Sequence, residues 1–242
     1  MIFYVAGYFL IQASSEPDWM DKNGLLPDMV WSGSRHIRNK YPDSWILGWP
    51  SNQGAKYDKK ERDFARESMK ISESQFVEAQ NDFNDLYKNQ QFGFPNVFMT
   101  SDLALKKYGQ YFCSVPNVKL LGLALPETYF EGFFAQFDSA GFQSTANNGV
   151  YLKLRQKETY KDDSVLGYDL LGFDGGEFCS FLCNSLEIKM YQEYGVQYNQ
   201  YGFISEYNQA EKVSQAIARG DEVVEDGFWS PWLVFEPALL LR

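Results

Sequence analysis

The stretch GFDGGEFCSFLCNSLE, residues 172–187, holds two of the three cysteines, and Asp174, Glu177 and Glu187 stand among them. Cys179 and Cys183 are four residues apart, so on a helix they would share one face. A zinc site would need Cys113 and the single histidine, His36, to complete a Cys3His set. Structural zinc usually draws its ligands from two close pairs, and these two residues are distant and unpaired. A nucleophilic cysteine needs a base, and His36, in WSGSRHIR, is the only imidazole. Ser32 and Ser34 flank it, yet no G-x-S-x-G elbow is present. Phe178, Leu182, Leu186 and Met190 line the adjoining stripe, and cysteine is among the most buried residue types, so the expectation is buried helix core. Asp174 and Glu177 in DGGE would complement the free N–H groups at the start of that helix. As an acid and base pair they could serve a glycosidase-like mechanism, and Asp169 and Glu187 are further carboxylates nearby in sequence, but nothing in the spacing sets the separation such a pair needs. DGGE also lacks the further ligands of a calcium loop. No P-loop, dinucleotide fingerprint, H-E-x-x-H or C-x-x-C occurs. The residues therefore predict no catalytic group, no metal ligand and no cofactor. A hydrolase using carboxylate or Cys–His chemistry is the alternative.

The elements that would position these residues follow from periodicity. IFYVAGYFLI near the N-terminus suits a buried strand, and VKLLGLALP, an apolar run closed by proline, suits another. Between them, residues 13–56 are rich in Pro and Gly turn signals and hold Trp19, Trp31, Trp45 and Trp49, with short strands expected at Met29–Ser32 and Trp45–Gly48. Apolar residues from Phe64 to Tyr87 recur at three- and four-residue steps, which predicts an amphipathic helix broken near Ser72–Ser74, with Ser72 as a cap. GFPNVFMT predicts a turn and strand, and SDLALKKYG a short helix ending at Gly109. Further along, ETYFEGFFAQFDSAG predicts a helix with a possible glycine kink, NNGVYLKLRQ a strand after a turn, and LGYDLLGFD a strand. GEFCSFLCNSLEIKMYQEYG predicts a helix of about five turns ending at Gly195. SEYNQAEKVSQAIARG predicts one capped by Ser205 and stopped by Gly220. WSPWLVFEP contains a final strand. Strands and helices mix without strict alternation, with no long linker or internal repeat. The expectation is a single α+β domain over residues 1–242, with a mixed or antiparallel sheet packed against several helices.

Bulk composition narrows the function classes. With 242 residues and 45% hydrophobic side chains a full core is available, and 20 Phe, 16 Tyr and 6 Trp leave aromatics for an interface as well. The net charge of −10 is uneven: residues 1–120 carry 14 basic against 14 acidic side chains, and residues 121–242 carry 8 against 18. A negative field of this kind disfavours nucleic acid and anionic membranes and favours a basic partner, although solubility alone would also account for it. Three cysteines are no disulfide framework. The apolar N-terminal run is too short to span a bilayer and has no basic segment before it, so the expectation is a cytoplasmic, reduced, non-membrane protein.

The segments LGYDLLGFDGGEFCSFLCNSLE, YGVQYNQYGFISEYNQAEKVSQAI and GFWSPWLVFEP resemble, in their order of Gly-Tyr-Asp, Gly-Phe-Asp, Cys-Asn and Phe-Ile-Ser steps, the C-terminal part of bacterial immunity proteins. These are the cytoplasmic antidotes of contact-dependent growth inhibition and related polymorphic toxin systems. The resemblance implies a toxin inhibitor without catalytic residues, which binds one cognate toxin domain, a basic nuclease in many such systems. An acidic surface would then be drawn to the face that meets nucleic-acid phosphate. The residues expected to meet the partner are Asp162 and Asp163 in QKETYKDDS and Asp221, Glu222, Glu225 and Asp226 in GDEVVEDG, with Trp229 as an adjacent anchor. An adaptor in a phage or mobile-element system would also bind a partner, without protecting cells from a toxin.

Overall fold

The structure is a computed structural model that describes residues 1–12, 14–15, 24–32, 63, 66–67, 69–88, 108–113, 115, 118–139, 145–161, 164–174 and 177–238. Its centre is a five-stranded antiparallel sheet in the order β1-β4-β7-β5-β6. The strands are β1 (Phe3–Gln12), β4 (Val118–Pro126), β5 (Ser164–Asp174), β6 (Glu177–Ser180) and β7 (Phe228–Glu236). A separate ladder pairs β2 (Ser14–Ser15) with β3 (Met29–Val30). Of the apolar runs predicted as strands, β4 and β7 take inner places and are buried along nearly their whole lengths, while β1 lies at the edge of the sheet. Pro231 is tolerated within β7 because the β4–β7 ladder spans only Gly122–Ala124 against Leu233–Phe235, so no β4 bond needs its N–H.

Helices cover both faces. Side chains alternate across a strand, so Phe173 and Trp232 share one face of the sheet and Tyr168 and Trp229 the other. Helix α2 (Phe130–Ser139) sets Phe133 against Phe173 and Trp232, with ring centroids 5.0 and 5.8 Å apart. Helix α3 (Thr145–Arg155) lies beside it, with Tyr151 stacked on Phe137 at 4.4 Å. On the opposite face α5 (Tyr207–Ala218) places Tyr207 5.6 Å from Tyr168, and Ser214 Oγ donates to the Trp229 carbonyl at 2.9 Å. Helix α4 (Glu187–Tyr194) joins α5 in a second apolar cluster of Leu170, Phe181, Leu182, Met190, Val213 and Trp229. This is an α+β fold, as the mixture of periodicities predicts. The close approach of Trp229 to the sheet depends on Gly172 directly opposite, where any Cβ would overlap the indole.

Helix α1 (Glu73–Lys88) begins where the break is predicted: Lys70 is left-handed at φ 54, and Ser72 caps. Ser72 Oγ accepts from the Gln75 N–H at 3.3 Å while Gln75 Oε1 accepts from the Ser72 N–H at 2.9 Å, a reciprocal capping box.

Several local expectations are corrected. NNGVYLKLRQ is not a strand but most of α3, because Val150 and Leu154, four apart, are buried while Leu152, which alternation would bury with them, is 52% exposed. The five-turn helix over 176–195 is divided into β6, a 3-10 turn at Phe181–Asn184 and α4. The division is set by Ser180, whose Oγ accepts from the Leu182 N–H at 3.3 Å, and by Ser185, left-handed at φ 53. The residue at the start of α5 is Glu206 rather than Ser205, and no side chain caps it. Gly109 ends no helix but lies inside a π-helical turn, Tyr108–Phe112. Gly132 lies within an uninterrupted α2, and the Phe228 ring occupies the place of its missing side chain. The strands expected at Trp45–Gly48 and in GFPNVFMT, and SDLALKK before the π turn, lie outside the described residues.

Candidate functional site

The residues that could do chemistry are scattered. Cys179 is on β6 and Cys183 in the 3-10 turn, both half-buried at the second apolar cluster rather than along one helix face. Cys113 is exposed in the π turn, its Sγ 3.3 Å from the Gly109 carbonyl, and His36 lies outside the described residues. Asp174 pairs with Glu177 at the end of the β5–β6 hairpin, so DGGE joins two strands and caps no helix. Asp169 is buried and accepts from Ser32 Oγ at 2.9 Å and Ser180 Oγ at 3.0 Å, which ties the segment after β3 to the sheet. Glu187 is buried at the first turn of α4, and its carbonyl accepts from the Tyr198 hydroxyl at 2.8 Å. Burial, with the Glu187 charge as the second cause, pushes the Tyr198 phenol far above its ordinary value. Among the described residues no group of three or more His, Cys, Asp or Glu could hold a metal ion, and no helix is long and apolar enough to cross a membrane.

The predicted acidic cluster is a built loop. Residues 221–227 connect α5 to β7 and are held at three points. Glu222 turns inward: its side chain is 3% exposed, ion-paired with Lys189 of α4 at 2.5 Å and accepting the Tyr194 hydroxyl. That hydrogen bond, followed by burial, pushes the Tyr194 phenol up to about 12, and the same carboxylate raises Lys189. The Glu225 N–H donates to Asn184 Oδ1 at 3.1 Å, and the Trp229 indole N–H donates to the Glu225 carbonyl at 2.9 Å. Asp221 pairs with Arg219 at 2.9 Å on the surface. The side chains of Glu225 and Asp226 face solvent, and Val223 between them and Glu222 is 92% exposed.

Of the seven residues expected to meet a partner, Asp221, Glu225 and Asp226 are therefore together and exposed. Glu222 and Trp229 are in the same place but inward, Trp229 only 5% exposed against Gly172. Asp162 and Asp163 lie outside the described residues. Val223 and the anchors Asn184, Lys189 and Tyr194 escape a reading of charge runs. Val223 does leave a trace, an aliphatic residue inside an acidic turn. The anchors leave none, because they come from elements up to 41 residues away along the chain.

An antiparallel sheet with helices on both faces defines the protein as α+β, and the acidic loop braced from beneath is its candidate contact site. No family model, curated protein or solved structure matches the chain.

Proposed function

We propose that this chain is a non-catalytic cytoplasmic immunity protein, which binds a basic cognate toxin domain, a nuclease in the simplest case, and blocks it. The observation that carries this reading is the braced loop 221–227: the inward Glu222, ion-paired with the half-exposed Lys189, and two hydrogen bonds to the Glu225 backbone hold Glu225, Asp226 and Val223 outward in one arrangement. A surface ordered before contact loses less conformational freedom on binding, and its carboxylates steer a cationic partner toward it. The uneven charge of the chain and the segment order shared with immunity proteins point the same way.

The test is to tag the protein, express it beside the products of its neighbouring genes, and look for a stoichiometric copurifying protein. A tight, salt-sensitive complex with a basic domain is expected, and Glu225→Lys with Asp226→Lys should weaken it about tenfold or more. Unchanged affinity in that double variant removes the loop as the contact. No partner at low salt overturns the reading and turns attention to hydrolase activity, tested by mutating His36 and the three cysteines in turn.

A further inference from the structure

Beyond Gly227 the acidic loop runs directly into Phe228, and there the surface changes from charged to aromatic. At this end of the sheet β4 ends, β7 begins and β1 begins. Rings from four elements meet there and remain partly exposed. Tyr129, in the 3-10 turn after β4, lies edge-on to Phe228 at 6.1 Å. Phe3 lies 6.3 Å from Tyr168 and 5.9 Å from Tyr207, which is itself buried. Carboxylates rim these rings. Tyr207 donates to Glu211 at 2.9 Å and Tyr4 to Glu127 at 3.0 Å, while Glu131 opens α2 and Glu206 precedes α5. Glu127, Glu131 and Glu206 are exposed, and no ion pair among the described residues involves them or Glu211. Carboxylates beside partly exposed aromatic rings, with no ion pair to them among the described residues, form a surface whose complement is cationic and planar.

From this we infer that the contact surface continues from the loop over the sheet end, and that this second part binds arginine side chains of the partner, their guanidinium planes stacked on Tyr129 and Phe228 and their N–H groups on Glu127, Glu131 and Glu211. Guanidinium matches both features at once: it stacks on rings and bonds carboxylates in a fork, whereas an ammonium is a compact, strongly hydrated point charge. The Tyr129 and Tyr168 phenols are raised, by burial first and then by Glu211 and Glu206 respectively, so both rings stay neutral through the physiological range. The inference rests on the proposed function for the identity of the partner but not for its own test.

Oligo-arginine and oligo-lysine peptides of equal length, titrated into the full chain, separate the two chemistries. The expected result is binding of oligo-arginine about tenfold tighter than oligo-lysine, consistent with cation–π contacts, with amide NMR signals of Thr128, Tyr129 and Phe228 moving. Tyr129→Leu should erase the preference while leaving oligo-lysine affinity in place, and Glu127→Gln with Glu131→Gln should weaken both peptides. Equal affinity of the wild-type chain for the two peptides overturns the inference without recourse to any variant. So do shifts confined to residues 221–226. If a copurified partner responds to the Glu225/Asp226 reversal but not to Tyr129→Leu, the inference fails and the proposed function stands. If no partner exists yet the arginine preference holds, the proposed function fails alone.

Discussion

At the scale of single residues, a run of acids divides by where each side chain goes. Glu222 and Glu225 are three apart in one acidic turn, yet one is buried between Lys189 and Tyr194 and the other faces water. Glu222, its side chain 3% exposed, accepts from both Lys189 and the Tyr194 hydroxyl, so its removal costs more than that of a solvent-facing carboxylate. Glu222→Ala should therefore cost about 1–3 kcal/mol. Glu222→Gln should cost less, since an amide oxygen still accepts from the Tyr194 hydroxyl. Urea unfolding of both variants beside Glu225→Ala is the measurement. If Glu222→Ala lowers the midpoint no more than Glu225→Ala, the Lys189–Glu222 pair does not hold the loop. Which acids point outward could not be read from the turn itself. Lys189 and Asn184, which decide it, are supplied by α4 and the turn before it.

At the scale of elements, helix stops were legible where they depend on one residue and its near neighbours. Gly220 follows α5 in the left-handed region at φ 78; its N–H donates to the Ile217 carbonyl at 2.9 Å and the Asp221 N–H to that of Ala216 at 3.0 Å, a Schellman closure. The space around its Cα is open, so Gly220→Ala meets only backbone strain and should cost about 1–2 kcal/mol. Gly109→Ala, also in open space but without a positive φ, should be neutral or mildly stabilising. Thermal denaturation of the pair is informative, since equal shifts would deny the left-handed penalty. The segment from Glu177 to Tyr194 was not legible. Its apolar residues at four-residue steps are all buried, but Phe178 joins the core on one side and Leu182, Leu186 and Met190 the cluster on the other. A helical spacing was satisfied by a strand and a helix facing different partners. Likewise α3 alternates like a strand, and only the burial of Val150 and Leu154 beside the exposed Leu152 shows which face of it is inside.

At the scale of the whole molecule, the many tyrosines make stability sensitive to alkali. Hydrogen bonding to Glu222 raises Tyr194 from 10.0 to about 12, and burial raises Tyr111, Tyr198 and Tyr207 further still. A group raised on folding contributes stability that is complete below its unfolded value and is lost as pH rises through its folded one. Unfolding free energy should thus be level to about pH 10 and fall above it. Tyr194→Phe should flatten part of the fall between pH 10.0 and about 12, the window its own shift defines. Urea titrations at pH 8 and 11 read this directly, and a wild-type free energy as high at pH 11 as at pH 8 would contradict it. Composition and periodicity by themselves determined the class of fold, the runs VKLLGLALP and WSPWLVFE as buried strands, the break at Ser72 and the acidic excess of the C-terminal half. Each of these depends on residue type and on neighbours a few positions away. Only the tertiary structure decided the sheet order, the division of residues 177–194, the inward turn of Glu222 and Trp229, and the meeting of Tyr129, Phe228 and Tyr207 at one end of the sheet. Those depend on which distant segment supplies a partner or fills a space, as Trp229 fills the one left by Gly172, and local spacing carries no record of that choice.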